Sequence, residues 1–497
     1  MKKPWIVKRI IERVTKTGID EKQLYMQLHL YALSTGEATR SELFRHMAKQ
    51  EEYAPYSTAM GEIDKLGSKL RYGLPKACIT ISKKMKNEPF KGFLSRLGEA
   101  IAIGERLQDF FEREFMATLM EYKGLYERSI TSVSVLLSLY SSVMSSLIFI
   151  IAFTLLLSVF WPIDPWTMLS SIAAMLTALI VFVILMFLIF PRDKVICNYP
   201  ADWKYKAVNV LALVATITTL AISIYSVLTY PSVRLEPIFA AGAVCYFIPG
   251  MLARALDKKV REHEKSYPSF IRHIGDIYQN TGSLEESFRS IIKAKMDTAL
   301  QLVERGLKRV RFRIPRKIVW LHLSKETSSE LIERGNKIVA DAMDYGALVG
   351  RVSEKVAYVS SIILDLRNKR IQTAKSFESI IFILHPLTVA LMMIMNELMR
   401  IFNEIFSSLG STAKILSFGH ISPMVIYATS IMSTLALVYA NSLAIKAAFG
   451  GYFGTFYLTL SLMFAITTCV LFASQMIMQQ FLFPAIELEN IKGLGGI

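Results

Sequence analysis

Long apolar runs alternate with charged, helix-periodic stretches along the chain. Seven runs are long enough to cross a hydrocarbon core of about 30 Å, which takes about 20 helical residues. They lie near 135–160, 167–190, 207–230, 236–254, 378–402, 421–446 and 453–481. The remaining stretches, 1–130 and 255–376, read as helical bundles. Apolar residues recur there at spacings of three and four, as in Phe270, Ile274, Ile277 and Tyr278, and strand-like alternation is scarce. Ser283-Leu-Glu-Glu286 reads as a capping box in which Glu286 answers Ser283, and Pro75 just after Gly73 marks another helix start. The pattern predicts an all-α polytopic membrane protein with about seven or more transmembrane helices. Its expected domains are a soluble helical domain over 1–130, four spans over 131–254, a second helical domain over 255–376 and the remaining spans over 377–497.

Charge sharpens this division. The chain carries 57 Lys and Arg against 41 Asp and Glu, a net charge of +16, and about 48 of the basic residues lie in the two soluble stretches. Basic residues beside the spans set orientation. The turn Trp161-Pro-Ile-Asp-Pro-Trp166 has none, whereas the next loop carries Arg192, Lys194, Lys204 and Lys206, and the fourth span ends in Arg254, Lys258, Lys259 and Arg261. This alternation predicts a multi-pass protein of the cell membrane with both soluble domains cytoplasmic and the loop 403–420 outside. Seven crossings would also leave the C-terminal tail outside. Four cysteines without paired spacing (Cys78, Cys197, Cys245, Cys469) read as free thiols, and the basic N-terminus lacks the apolar core of a signal peptide.

The two soluble stretches look like copies of one another. Gly73-Leu-Pro-Lys-Ala-Cys-Ile-Thr-Ile-Ser-Lys-Lys-Met85 resembles the stretch Gly282 to Met296, and Phe93 to Gly104 parallels the helical stretch ending at Gly346. Gly73, Gly104, Gly282 and Gly346 are therefore candidate structural glycines. Each copy runs through a charged helix into a span, and the second is longer by a basic segment around 297–325.

Catalytic signals are missing. There is no G-x-x-x-x-G-K-[ST] loop, no G-x-S-x-G elbow, no H-E-x-x-H, and the seven histidines are scattered with no pair at metal-ligand spacing. The chain reads as a non-enzyme without cofactor or metal. Within the spans, His385-Pro386 and Glu397 are polar groups that a transporter would use as a relay. The plainer reading has His385 bonding a carbonyl freed by the proline kink, Glu397 near the outer interface and Asn441 joining helices. A stronger signal is the run Arg305, Lys308, Arg309, Arg311, Arg313, Arg316 and Lys317, interleaved with Val310, Phe312 and Ile314. It suits an acidic protein partner or membrane lipid, where each basic residue is worth about 1 kcal/mol near anionic headgroups. A nucleic-acid role is not expected of a segment tethered beside a bilayer.

An ordered series of pieces resembles the secretion-system F family, and within it the archaeal platform proteins. The first copy has Ser34-Thr-Gly-Glu-Ala-Thr-Arg-Ser-Glu-Leu-Phe44, Gln50-Glu-Glu-Tyr53, Tyr72-Gly73 and Gly104-Glu-Arg-Leu-Gln-Asp-Phe-Phe111. The second has Tyr267-Pro-Ser-Phe-Ile-Arg-His-Ile-Gly275, Thr281-Gly-Ser-Leu284, Trp320, Glu326-Thr-Ser-Ser-Glu-Leu-Ile332 and Leu366-Arg-Asn-Lys-Arg370. The resemblance covers roughly residues 20–400. It implies an inner-membrane platform, without enzymatic activity, for an archaeal type IV pilus-like filament, an archaellum before an adhesive pilus. It further implies coupling to a hexameric cytoplasmic ATPase, contact with pilin-like or archaellin subunits, and a homodimer. Family members often show two adjacent glycines where this chain has Tyr345-Gly346-Ala347, which puts the close helix approach there in question. A multi-span transporter is the alternative, but it would place its repeat within the membrane.

Overall fold

The computed structural model describes residues 20–160, 165–190, 193–229, 235–294, 300–408 and 423–481. Among them the protein is helical, with one isolated antiparallel bridge, Ile196 to Ser329. Much of the expected outer loop 403–420 and the whole C-terminal tail lie outside the described residues. In chain order the helices are α1 (Glu21–Ser34), α2 (Arg40–Ala48), α3 (Tyr56–Asp64), α4 (Leu74–Ser82), α5 (Glu88–Ile103) and α6 (Leu107–Phe160). Then come α7 (Pro165–Ile189), α8 (Lys204–Leu228), α9 (Glu236–Thr281), α10 (Leu284–Lys293), α11 (Leu300–Arg311) and α12 (Arg316–Thr327). The last are α13 (Glu330–Asp344), α14 (Val349–Ser408), α15 (Pro423–Phe449) and α16 (Phe456–Phe481).

Two compact units result. Of the described residues, one gathers those up to Ser129 with Lys194–Asp202 and those within Lys258–Lys369; the other gathers those within Ile130–Asp193, within Trp203–Asp257 and from Arg370 onward. In the first unit the two soluble stretches, read as separate domains, share a single core that includes Tyr25, Phe90, Phe93, Phe115, Tyr267, Phe288 and Trp320. Helix α1 is buried on nearly every side from Gln23 to Leu33, which takes the polar side chains Gln23, Gln27 and His29 out of water.

Local signals account for the helix ends. Asp20 caps α1 by accepting the Gln23 N–H at 2.8 Å, and Thr39 with Glu42 forms a reciprocal box at α2. At α10 the predicted box is one-sided. Ser283 accepts the Glu286 N–H at 3.3 Å, but its own N–H goes to Thr281 Oγ1, also at 3.3 Å, which leaves Glu286 nothing to answer. The four candidate glycines all have positive φ: Gly73 88°, Gly104 77°, Gly282 67° and Gly346 61°. Gly104 shows why such a residue stands there. It ends α5 in the left-handed conformation while its N–H and that of Glu105 close on Ile101 and Ala100, a geometry a Cβ would strain.

The second unit contains the apolar runs. Among the described residues six helices are long and apolar enough to cross a membrane: α6, α8, α9, α14, α15 and α16. The expected second span, 167–190, lies on α7, whose Leu176–Ile189 portion is a shorter apolar segment of the described set. Phe149, Val210, Leu213, Ile217, Ile224, Val244, Ile248 and Phe472 point outward. Apolar surface on that scale, on helices that satisfy their own backbone, suits lipid and not water. The protein is a membrane protein.

Small residues let these helices approach. A Cβ on Gly250 would lie 2.5 Å from the Leu458 backbone, and Ser461 donates to the Ala243 carbonyl at 2.7 Å.

Candidate docking surface and buried polar sites

The basic run forms an antiparallel pair of helices in the first unit. Leu302, Val303 and Leu307 of α11 face the core with Trp320 and Leu323 of α12, so the alternating basic residues are turned outward. The chain reverses at Phe312-Arg313, where Arg313 adopts a left-handed φ of 56° and the Ile314 N–H closes on the Arg309 carbonyl at 3.2 Å. Phe312 is thereby left 81% exposed beside basic residues.

Five of the seven predicted docking residues spend charge within the protein. Arg305 (3.3 Å) and Arg309 both pair with Glu326, Arg311 pairs with Glu285 at 3.2 Å, and Arg316 donates to the Tyr278 hydroxyl at 2.6 Å. Lys317 bridges Asp341 at 3.0 Å and Asp344 at 3.3 Å. Arg309 is only 22% exposed at its side chain and acts as a brace between α11 and α12. Among the described residues Lys308 and Arg313 have no ion-pair partner. The open surface is thus Lys308, Phe312 and Arg313, supplemented by the outer parts of Arg305 and Arg311.

The intramembrane polar residues belong to the second unit. His385 is fully buried on α14, one residue before Pro386, but the predicted bond to a freed carbonyl is not what holds it. Its Nε2 meets Thr467 Oγ1 at 2.9 Å, and its Nδ1 meets the Asn441 side-chain amide at 2.9 Å. Asn441 Oδ1 in turn accepts from the Tyr140 hydroxyl at 2.6 Å. Tyr140, His385, Asn441 and Thr467 thus join α6, α14, α15 and α16 through side chains, the interhelical role expected of Asn441 alone. Glu397 is half-buried on α14.

Spacing along the chain gives no sign of a third polar site. His29 of α1, His46 of α2 and Asp341 of α13 converge in the first unit, with one donor atom from each within 4.8 Å of the others. His29 Nε2 and His46 Nε2 lie 3.2 and 3.0 Å from the same oxygen, Asp341 Oδ2, while Lys317 holds Oδ1. Burial pushes the His29 imidazole below its ordinary range, and the Asp341 contact only partly offsets this. Burial works the other way on Asp341, but the two imidazoles outweigh it and hold the carboxyl far below the usual carboxylate range. The one advance signal was His29 itself, set between Leu28 and Leu30 in the mostly apolar stretch Leu24–Leu33.

Beside this cluster the chains approach closely without a glycine pair. The Glu37 N–H donates to the Tyr345 carbonyl at 3.1 Å, and a Cβ on Gly36 would stand 2.4 Å from that same oxygen. Gly36 supplies the clearance that a second glycine next to Gly346 would otherwise give.

Two known proteins are similar to this chain over most of its length. The chain is 23% identical over 422 residues to flagella accessory protein J of Methanocaldococcus jannaschii, covering 80% of this chain and 74% of that one. It is 22% identical over 490 residues to flagella accessory protein J of Methanococcus voltae, covering 93% and 87%. No protein-family model matches, and no solved structure matches. The similarity to these two proteins named flagella accessory protein J extends over most of this chain and most of each of them, and so takes in both soluble stretches and the apolar helices.

Proposed function

We propose that this protein is a membrane platform for assembly of an archaellum. The observation that carries the reading is similarity over most of the chain to two proteins named flagella accessory protein J, in a chain that is helical and polytopic. Deleting the gene should abolish the extracellular filament while filament subunits accumulate unassembled in the membrane. Filaments in normal number would refute the reading.

Coupling to a cytoplasmic ATPase is the finer part of the proposal. It is supported by the exposed tip Lys308-Phe312-Arg313, where charge not spent on internal pairs surrounds an exposed aromatic ring. Such a patch steers and holds an acidic partner. Lys308→Glu with Arg313→Glu should weaken co-purification of the ATPase without loss of folded protein. Arg309→Glu is a poorer probe, because it breaks the Glu326 brace. Unchanged capture at low salt would move the interface elsewhere. The reading also places the first unit in the cytoplasm, so a cysteine at Ser283 should escape a membrane-impermeant label in intact cells.

A transporter has less support. His385 has both ring nitrogens engaged by uncharged side chains, which suits helix packing and not proton relay.

A further inference from the structure

We propose that His29, His46 and Asp341 form a binding site for a divalent transition metal of the zinc class. The three groups come from three helices, and both imidazoles aim Nε2 at one carboxylate oxygen, 3.2 and 3.0 Å away. In a tetrahedral site with bonds of about 2.0–2.1 Å, neighbouring ligand atoms stand about 3.3 Å apart. The two histidine–carboxylate separations need to open by only a few tenths of an ångström, and all three ligand atoms already lie within 4.8 Å of one another.

The surroundings match what orients metal-bound histidines. Such a ring usually binds through one nitrogen and hydrogen-bonds its other to an outer group, which fixes tautomer and direction. Here His29 Nδ1 lies 3.3 Å from the Tyr53 hydroxyl, and His46 Nδ1 lies 3.3 Å from the Tyr345 hydroxyl. Both rings therefore have a reason to carry the proton on Nδ1 and to present the Nε2 lone pair inward. The Gln50 side-chain amide, 2.8 Å from His46 Nε2, donates to that lone pair under the same tautomer and would be displaced from it by an ion.

Two lone pairs would then face a carboxylate with no proton between them, and a cation resolves the conflict. His29 Nε2 shows it directly. It is wholly buried, and despite its distance from Asp341 it makes no hydrogen bond of good geometry. Leaving such an atom unmet is costly. Lys317 does not compete for the position, since it takes Asp341 Oδ1 and leaves Oδ2 to the imidazoles. Two imidazoles and one carboxylate suit zinc, cobalt or nickel better than magnesium or calcium. The fourth position falls to water. A bound ion would link helices α1 and α2 to α13, 295 residues further along the chain from His46.

The test uses the full-length protein in detergent, purified with a tag free of histidine and stripped with chelator. Cobalt(II) should bind at one equivalent with the visible absorption of a four-coordinate site, and zinc should displace it. Because His29 is fully buried, His46→Gln carries the mutational arm, with an affinity loss on the order of 100-fold or more. Tyr345→Phe, which removes only an outer hydroxyl, should cost roughly 10-fold or more. His322→Gln, on the exposed face of α12, should change nothing. Stripped wild-type protein that takes up no cobalt overturns the proposal and leaves a plain hydrogen-bonded network. A His46→Gln variant with unaltered affinity, folded as the wild type is, overturns it equally.

Discussion

Replacing Arg367 by Met should loosen the first unit far more than replacing Arg367 and Glu264 together. Arg367 and Glu264 form a buried pair, 9% and 3% exposed at their side chains. The guanidinium lies 3.3 Å from both carboxylate oxygens and also reaches the Lys194 carbonyl. Glu264 Oε1 further accepts from Ser329 Oγ at 2.6 Å, and Ser329 is the residue that caps α13 at Ile332. Arg367→Met leaves the carboxylate buried with one neutral donor, a change that costs about 3–5 kcal/mol. Glu264→Gln with Arg367→Met removes both charges and keeps an acceptor for Ser329, so most of that cost should vanish. Cys197 offers the assay. It is buried, and its N–H donates to the Ser328 carbonyl at 3.0 Å, so its labelling requires this region to open. With the other three cysteines changed to Ser, labelling that is slow relative to reclosing reads the opening equilibrium. A loss of about 3 kcal/mol is roughly a 150-fold increase in rate. The double variant should stay within about tenfold of wild type, given 1.4 kcal/mol per decade. Equal rates in the single and double variants would refute the account, because the penalty would not then come from a stranded charge.

Other positions give independent checks. Gly36→Ala puts a methyl against the Tyr345 carbonyl and should cost about 1–3 kcal/mol, read as faster proteolysis of the first unit; an unchanged rate would mean that backbone yields freely. Gly250→Val should force α9 off the Leu458 backbone and lower the thermal midpoint in detergent; an unchanged midpoint would mean that the helices part without cost. Arg370→Lys keeps the charge but offers one donor group where three acceptors are now met, and should also lower the midpoint; an unchanged midpoint would show that charge alone suffices. His385→Gln retains a donor and an acceptor for Thr467 and Asn441, so filaments should persist with a stability loss of about 1 kcal/mol. Filament loss in that variant, with the protein folded, would argue for a chemical role of the imidazole.

Periodicity and run length carried most of the fold, because a helix writes its buried face into the next turn of the sequence. Ser283, Gly104 and the apolar stretches could be read in place for that reason. Pairing between elements could not. Glu326 lies one helix away from Arg309 and closes on it only after α11 and α12 fold back, so a run that reads as uniformly basic is largely neutralised at its base. The same limit hid His29 and His46 from each other and both from Asp341. Motif searches look for ligands on one helix face or one loop, and these come from three helices. The one-sided cap at Ser283 was missed for a more local reason: Thr281, two residues earlier, offers the backbone N–H a nearer acceptor than Glu286.

Buried charge in the apolar unit argues for a structural reading of that unit. Arg370, 3% exposed, donates to the Ala448 carbonyl at 3.0 Å and to the Ala447 carbonyl at 2.9 Å, and pairs with Asp193 at 2.8 Å. Those carbonyls belong to the last turn of α15, which the helix itself cannot satisfy. The guanidinium therefore acts as the cap of a helix end, where its charge also favours the macrodipole. Lys446 is used similarly, donating to the Gly450 and Tyr452 carbonyls and to Thr455 Oγ1. A charge committed to fixed backbone acceptors holds a turn in place; a relay or substrate site needs groups that exchange partners as the cargo enters and leaves. Arg370 and His385 of α14 have fixed partners on α15 and α16, and Lys446 holds the turn between those two helices. Their chemistry is that of fastening α14 to α15 and α16 and of closing the turn between the last two, a structural use of buried charge and not a transport one.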